Sequence, residues 1–157
     1  MRFCLIDRIT HLEPGRSIAA VKNLSLAEEY LADHFPAFPV MPGVLMLEAM
    51  VQAGAWLIRA SDDFAESTIL LKETRNVKYG SFVEPGRQLV VTAEILEHGA
   101  RETKLKASGT VDGEPTVSGR IVLERFNHRD RDPELGRMDE VLITALREMY
   151  STLYRPV

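Results

Sequence analysis

The chain has 157 residues, enough for one domain with a substantial hydrophobic core. Hydrophobic residues make up 45% of it and charged residues 27%, as in ordinary soluble domains. The formal net charge of -4 and the lack of lysine and arginine runs give no indication of a nucleic acid partner or of a membrane-binding patch. The single cysteine, Cys4, excludes an internal disulfide and suits a reducing cytoplasm.

Neither a signal peptide nor a transmembrane helix is predicted. The apolar run at residues 3–6 is too short for the core of a signal peptide. The longest apolar stretch, around residues 40–58, is interrupted by Glu48 and Gln52. It therefore falls short of the roughly 18 uninterrupted apolar residues that a membrane span requires. These features favour a soluble, cytoplasmic protein.

The N-terminal region predicts a β-hairpin followed by a short helix. Strands are expected over residues 3–12 and 16–24, on either side of a Glu-Pro-Gly turn. Ser25, with Glu28 three residues later, predicts a capping box at the start of a helix over residues 26–32.

The most informative stretch is a proline-rich loop that leads into a very apolar helix. Three prolines keep residues 34–42 out of a helix, because each removes a donor and restricts the residue before it. A helix is predicted from Gly43 to Ile58, and its residues are apolar on every side apart from Glu48 and Gln52. Such a helix is typical of a buried position.

The second half of the chain changes to the two-residue period of strands. Strands are predicted over residues 68–79, 87–97, 103–111 and 115–125. The charged segment 127–132 predicts a surface linker, and apolar residues at helical spacing from Met138 to Leu153 predict a C-terminal helix. We expect one main domain over residues 1–126, with the linker and helical extension of residues 127–157 packed on the same domain.

This order of elements predicts an α+β fold. A single helix that is apolar on all sides needs a sheet wrapped around it and a second subunit to cover the remainder. We therefore expect a long central helix held by a curved antiparallel sheet, with an additional helix at the C-terminus.

Glu48 is the one acid within the apolar helix. An ionised carboxylate there would cost several kcal/mol unless it were paired or hydrogen-bonded, so burial favours the protonated form. A carboxylic acid in that form is a proton donor. The alternative is a glutamate that reaches solvent through a gap or that makes a structural hydrogen bond to the sheet.

Three further residues in the same stretch could supply the other groups that a reaction needs. His34, in the loop before the helix, is available as a base, although an ordinary loop histidine explains it as well. The Gly43 N–H in the first helical turn has no helical partner and can donate to a carbonyl oxygen, or Gly43 only allows a tight helix entry. Gln52, one turn beyond Glu48, is predicted to orient that carboxyl or to bond to the sheet. A base, an acid and a carbonyl donor suffice to remove a proton next to a carbonyl and expel a β-hydroxyl.

The stretch from His34 to Gln52, HFPAFPVMPGVLMLEAMVQ, resembles the signature of the hot-dog-fold (3R)-hydroxyacyl-acyl carrier protein dehydratases. The flanking pieces LIDRITHLEPGRSIAAVKNLS and NVKYGSFVEPGRQLVV agree with it, so the resemblance covers roughly residues 3–125. It implies a hot-dog fold and the dehydration of a (3R)-hydroxyacyl thioester to the trans-2-enoyl thioester, in the synthesis of fatty acids or related acyl chains.

The resemblance also implies roles for individual residues. The catalytic residues would be His34, which removes the C2 proton, and Glu48, which protonates the departing hydroxyl. The substrate-binding residues would be Gly43, whose N–H polarises the thioester carbonyl, together with Val44 and Gln52. Glutamate rather than aspartate at position 48 points to dehydration without isomerisation of the double bond.

No metal and no organic cofactor are implied, because the acyl group arrives on the phosphopantetheine of the acyl carrier protein. A homodimer with shared active sites is implied, with a trimer of dimers left open. The rise from Pro42 to Glu48 is about 9 Å along a helix, so His34 and Glu48 of one chain need not meet. Two alternatives remain: a hot-dog acyl thioesterase that uses Glu48 to activate water, and a catalytically silent acyl-binding or assembly subunit.

Two residues depart from the family pattern, which has glycine before the histidine and after the following proline. Asp33 places a negative charge beside His34 and would stabilise its protonated form. Ala37 would destabilise the loop conformation by about 1 kcal/mol if the family glycine has a positive φ.

Four basic residues could meet an acidic carrier or simply form a solvated face: Arg59, Lys72, Arg75 and Lys78.

Overall fold

The computed structural model describes residues 3–155, and within that range one antiparallel sheet of six strands surrounds a long helix. The elements in chain order are β1 Arg8–Glu13, β2 Ser17–Asn23, α1 Tyr30–Asp33, α2 Gly43–Ser61, β3 Thr68–Tyr79, β4 Gln88–His98, β5 Glu102–Val111, β6 Glu114–Phe126 and α3 Gly136–Leu153. Two short 3-10 turns, His128–Asp130 and Pro133–Leu135, precede α3. The predicted α+β architecture is confirmed. The predicted regions 1–126 and 127–157 extend beyond the described residues at their outer ends.

The strands are arranged in the order β1-β2-β4-β5-β6-β3, so β1 and β3 form the edges. Side chains alternate between the two faces of each strand. In β5, for example, Leu105 and Ala107 are buried while Lys104 and Lys106 are exposed. The turn between β5 and β6 has positive φ at both Asp112 (52°) and Gly113 (85°), which is why this hairpin carries an Asp-Gly pair.

Helix α2 forms the centre of the hydrophobic core. Its residues from Met46 to Ile58 are mostly buried, and the helix packs against the inner face of β2, β4, β5 and β6. By length and composition α2 could also span a membrane. It is, however, mostly buried against the sheet, as is typical of the core helix of a globular domain.

Two predicted boundaries in the N-terminal region are wrong. The helix predicted over residues 26–32 begins only at Tyr30, because Glu28 pairs with the buried Lys22 ammonium at 2.7 Å and does not cap a helix. Ser25 accepts a hydrogen bond from the Ala27 N–H (3.2 Å), which closes a turn. The strand predicted from residue 3 begins at Arg8, since the preceding backbone is bonded to a side chain of α2.

Helix α3 lies across the C-terminal part of α2. The Tyr150 ring packs against Trp56 and Phe64, with centroid separations of 6.2 and 5.4 Å. Arg147 forms an ion pair with Asp63 at 3.1 Å. These contacts cover the end of α2 that is remote from Gly43.

A buried carboxylate fixes the start of α3. Asp139 is completely buried, and it accepts hydrogen bonds from Ser67 Oγ (2.5 Å) and from the backbone N–H groups of His128 (2.9 Å) and Arg129 (3.0 Å). Burial alone would raise the pKa of the Asp139 carboxyl. The hydrogen bonds from Ser67, Arg129 and His128 outweigh burial and hold this pKa well below its usual range.

Asp139 is therefore expected to make the protein sensitive to acid. A folded-state pKa below the unfolded value stabilises the protein above about pH 4, and this stabilisation is lost as the pH falls toward the folded-state pKa. We expect Asp139→Asn to be less stable than the wild type at pH 7 and to lose less of its stability between pH 6 and pH 3. Urea unfolding followed by the fluorescence of Trp56, the single tryptophan, measures both quantities.

The control is Asp112→Asn, which removes an exposed carboxylate in the β5–β6 turn. It should leave the acid dependence close to that of the wild type. Identical acid dependence in the wild type and Asp139→Asn would show that the buried carboxylate has no role in acid stability.

Candidate active site

The loop between α1 and α2 carries His34, which is half-buried. His34 is the C-cap of α1, and its N–H donates to the Tyr30 carbonyl at 3.2 Å. Phe35 then takes a positive φ of 49°, and the Phe38 N–H donates back to the Phe35 carbonyl at 2.8 Å. The left-handed residue of this loop is thus Phe35. Ala37 has no positive φ, so the backbone penalty considered for it does not arise.

The second half of this loop is tied to the segment that follows β3. Val40 and Met41 are buried, and the Met41 N–H donates to the Val83 carbonyl at 2.9 Å. The Phe38 ring packs edge-on against Phe82, with a centroid separation of 5.6 Å. The segment that follows β3 therefore holds the loop in place.

The first turn of α2 opens toward this loop. Pro42 precedes the helix, and its carbonyl accepts hydrogen bonds from the amides of Leu45 and Met46. The Gly43 N–H has no acceptor among residues 3–155. Next to it, the Val44 side chain is 68% exposed. An unpaired amide beside an exposed apolar side chain provides a donor for a ligand oxygen.

Tyr79, which the sequence analysis did not identify, contacts this helix N-terminus. A Cβ atom added to Gly43 would lie 3.1 Å from Tyr79 Cε1, so the ring lies directly against the glycine. A side chain at position 43 would therefore require the Tyr79 ring to shift slightly. Tyr79 lies in the flanking piece NVKY, but the local sequence does not show that it reaches α2.

Glu48 and Gln52 form a hydrogen-bonded pair on α2. Gln52 Nε2 donates to Glu48 Oε1 at 3.0 Å, which is the predicted contact. The same amide binds the N-terminal segment, because its Oε1 accepts from the Leu5 N–H at 2.8 Å and its Nε2 donates to the Phe3 carbonyl at 3.3 Å. Glu48 is half-buried rather than enclosed. Its orientation is thus linked to the docking of the chain's N-terminal segment.

Within one chain, the structure brings together only some of the predicted site residues. Gly43, Val44, Glu48 and Gln52 lie on α2. The His34 ring contacts Phe35 at a centroid separation of 4.3 Å and makes no hydrogen bond to another side chain within residues 3–155. Large apolar side chains around this region are exposed: Phe35, Phe38, Val44, Tyr79 and Phe82.

A second polar cluster lies at the opposite end of α2 and was also missed from sequence. His98 Nε2 is 2.9 Å from Asp62 Oδ1, and His98 Nδ1 is 2.8 Å from Thr103 Oγ1. Arg125, which is buried, donates to the same Thr103 hydroxyl at 2.8 Å. Because Thr103 is fully buried, its hydroxyl anchors this cluster, and with it the helix end, to the β4–β5 hairpin.

Gln52 is expected to contribute measurably to stability. Gln52→Ala leaves the buried Leu5 N–H without its acceptor, which should lower the free energy of unfolding by about 1–3 kcal/mol. Urea denaturation at pH 7 tests this. The matched control is Gln88→Ala, which removes an exposed amide bonded to Asn23 and should change stability by no more than about 0.5 kcal/mol. Equal losses in the two variants would contradict the role given to Gln52.

Comparisons with known proteins identify the family of this chain. The model of the FabA-like domain matches residues 1–125. The 3-hydroxyacyl-[acyl-carrier-protein] dehydratase FabZ of Ruminiclostridium cellulolyticum is 37% identical over 119 residues, which are 76% of this chain and 84% of that protein. The FabZ dehydratase of Janthinobacterium sp. (strain Marseille) is 36% identical over 138 residues, covering 85% of this chain and 87% of that protein.

Among solved structures, the dehydratase heterocomplex ApeI:P from Xenorhabdus doucetiae matches with a TM-score of 0.67. The match covers 85% of this chain and 90% of that chain. Its sequence identity is 17%, so it shows the fold alone, and it confirms the predicted hot-dog class. The family match stops at residue 125, before α3. The chain belongs to the FabA-like family, as the motif from His34 to Gln52 predicts.

Proposed function

We propose that this protein dehydrates (3R)-hydroxyacyl thioesters, carried on acyl carrier protein, to trans-2-enoyl thioesters in fatty acid biosynthesis. Its similarity to FabZ dehydratases over most of their length supports the reaction class. The observation that carries the proposal is the arrangement on α2, where a free Gly43 amide and a carboxyl held by Gln52 lie near one helix end.

The first step of the mechanism removes a proton from C2. Neutral His34 accepts that proton, and the electrons of the C–H bond move toward the thioester carbonyl. The Gly43 N–H donates to the carbonyl oxygen as negative charge develops there. A donor that is already oriented stabilises this charge without reorganisation, which is the largest contribution in many such reactions.

The second step expels the hydroxyl group. The C2–C3 double bond forms as the C3–O bond breaks, and protonated Glu48 donates its proton to the departing oxygen, which leaves as water. One proton has moved from C2 to His34 and one from Glu48 to the product water. Exchange with solvent then restores both groups. Because no oxidation state changes overall, the reaction requires no redox cofactor.

Val44 and Gln52 support the reacting groups in this mechanism. The exposed Val44 side chain, next to the carbonyl donor, offers an apolar surface to the acyl chain. Gln52 acts through Glu48, because its Nε2–H donates to one carboxyl oxygen and leaves the other free to carry the proton.

We also propose a homodimer in which two chains share each active site, with His34 from one protomer and the partner's Glu48 on the other side of the substrate. The exposed apolar side chains around the loop and the N-terminal turn of α2 support this arrangement, because a soluble protein rarely leaves such a patch uncovered. Sedimentation measurements distinguish this dimer from a trimer of dimers.

We infer a cytoplasmic enzyme that receives its substrate from acyl carrier protein. Of the four basic residues considered for carrier binding, Lys72 pairs with Glu102 and Arg75 with Glu73. Arg59 lies over Trp56 at 5.2 Å, and burial lowers the pKa of its guanidinium to about 10. Lys78 has no ion pair within residues 3–155, so it remains available to an acidic carrier.

We infer that residues 127–157 form an extension on the main domain.

One assay separates the proposed activity from its alternatives. The protein is incubated with a 3-hydroxyacyl carrier thioester and, separately, with the corresponding enoyl thioester. Interconversion of the two is the expected result. Release of the free acid would identify a thioesterase, and binding without turnover would identify a silent acyl-binding subunit.

Substitution of the acid or the base should abolish most of the activity. His34→Ala and Glu48→Ala are each expected to lower kcat by about 10²–10⁴-fold, the usual contribution of a general acid or base. Steady-state rates with a carrier thioester measure this loss. Full dehydratase rates in both variants would overturn the assignment.

Mixing the two inactive variants tests the shared site. When His34→Ala and Glu48→Ala chains are co-expressed, half of the dimers contain one chain of each type, and each of these has one intact site. Activity should therefore recover to roughly a quarter of the wild-type rate per site. No recovery in dimers verified to be mixed would place both groups of a site in one chain.

A further inference from the structure

Tyr79 lies at the junction between the sheet and the free amide of α2. It is the last residue of β3, and its ring faces Gly43. A Cβ at position 43 would lie 3.1 Å from Cε1, 3.2 Å from Cδ1 and 3.5 Å from Cζ. The phenolic oxygen is bonded to Cζ, so the hydroxyl is close to the residue that carries the unpaired N–H.

The backbone on both sides holds this ring in place. Tyr79 pairs with Val117 of β6, and the next amide, Gly80 N–H, donates to the Thr116 carbonyl at 2.8 Å. A few residues on, the Val83 carbonyl accepts from Met41 immediately before α2. The position of the Tyr79 ring relative to the helix N-terminus is thus set by the sheet and by the loop together.

The hydroxyl of Tyr79 is not used by the fold. The residue is 50% exposed, and its hydroxyl makes no hydrogen bond within the part of the chain that the structure describes. The ring alone accounts for the packing against Gly43, so a phenylalanine would pack equally well. A phenol can donate one hydrogen bond, and the ring that carries this hydroxyl lies against Gly43.

We propose that Tyr79 is a substrate-binding residue whose phenolic O–H donates to the thioester carbonyl oxygen that the Gly43 N–H also polarises. The inference rests on the proposed function and adds a second donor to the carbonyl site. Two donors from different elements, one from α2 and one from β3, define the position of that oxygen more closely than a single amide. The charge that develops on the oxygen when C2 is deprotonated is then shared between them.

Tyr79→Phe tests the proposal because it removes the hydroxyl and keeps the ring. With a 3-hydroxyacyl pantetheine thioester as substrate, kcat/KM should fall about tenfold, the factor expected for one hydrogen bond to the reacting oxygen. Thermal unfolding should be unchanged. The control is Tyr154→Phe, a half-buried tyrosine beyond α3, which should retain the wild-type kcat/KM.

A spectroscopic measurement reports on the carbonyl itself. Infrared difference spectra of a bound enoyl pantetheine thioester, labelled with ¹³C at C1, should show a carbonyl stretch shifted to lower frequency in the wild type. The shift should be smaller in Tyr79→Phe and unchanged in Tyr154→Phe. A smaller shift in Tyr79→Phe, with no change in Tyr154→Phe, therefore supports the loss of a hydrogen bond to the carbonyl.

Failure of the role proposed for Tyr79 can be distinguished from failure of the proposed function. If the wild type turns over the thioester and Tyr79→Phe matches it in both kcat/KM and carbonyl frequency, the role of Tyr79 is wrong and the dehydratase assignment stands. If the wild type does not interconvert hydroxyacyl and enoyl thioesters at all, the proposed function fails and the inference fails with it.

Discussion

Burial of α2 against the inner face of the sheet is the constraint on which the rest of the structure depends. Side chains such as Met50 and Leu57 are fully enclosed, and β2, β4, β5 and β6 all pack on the helix. Removing so much apolar surface from water is the main favourable term in folding. It also fixes the axis and rotation of the helix, and hence the positions of Gly43 and Glu48 along it.

On α2, the side-chain amide of Gln52 contributes both to the stability of the fold and to the proposed active site. Gln52 binds backbone groups of the N-terminal segment and also holds Glu48, so the residue that docks the beginning of the chain also orients the proposed acid. Without this hydrogen bond, a carboxylate inside an apolar helix would destabilise the fold. Its half-buried position leaves the Glu48 carboxyl partly accessible from outside the chain.

The C-terminal extension completes the opposite end of the helix. Because Asp139 and Tyr150 fasten α3 over Trp56, the far end of α2 is covered within one chain. The end near Gly43 remains bordered by exposed apolar side chains. The covered end of α2 is thus part of the fold, and the open end is available for the proposed dimer interface and active site.

The strand pattern, the buried helix and the residues of the motif can be predicted from the amino-acid sequence. These depend on local rules, such as the two-residue period of β5, the Asp-Gly turn at Asp112 and the apolar periodicity of α2, so neighbouring residues are sufficient to predict them. Other contacts form only when distant parts of the chain come together in the fold. The contact of Tyr79 with Gly43, the bonds from Gln52 to the N-terminal segment and the buried Asp139 join residues far apart in the chain, and no local pattern encodes such pairs. The start of α1 was mispredicted for the same reason, because Glu28 is drawn to the ammonium of Lys22 on a neighbouring strand.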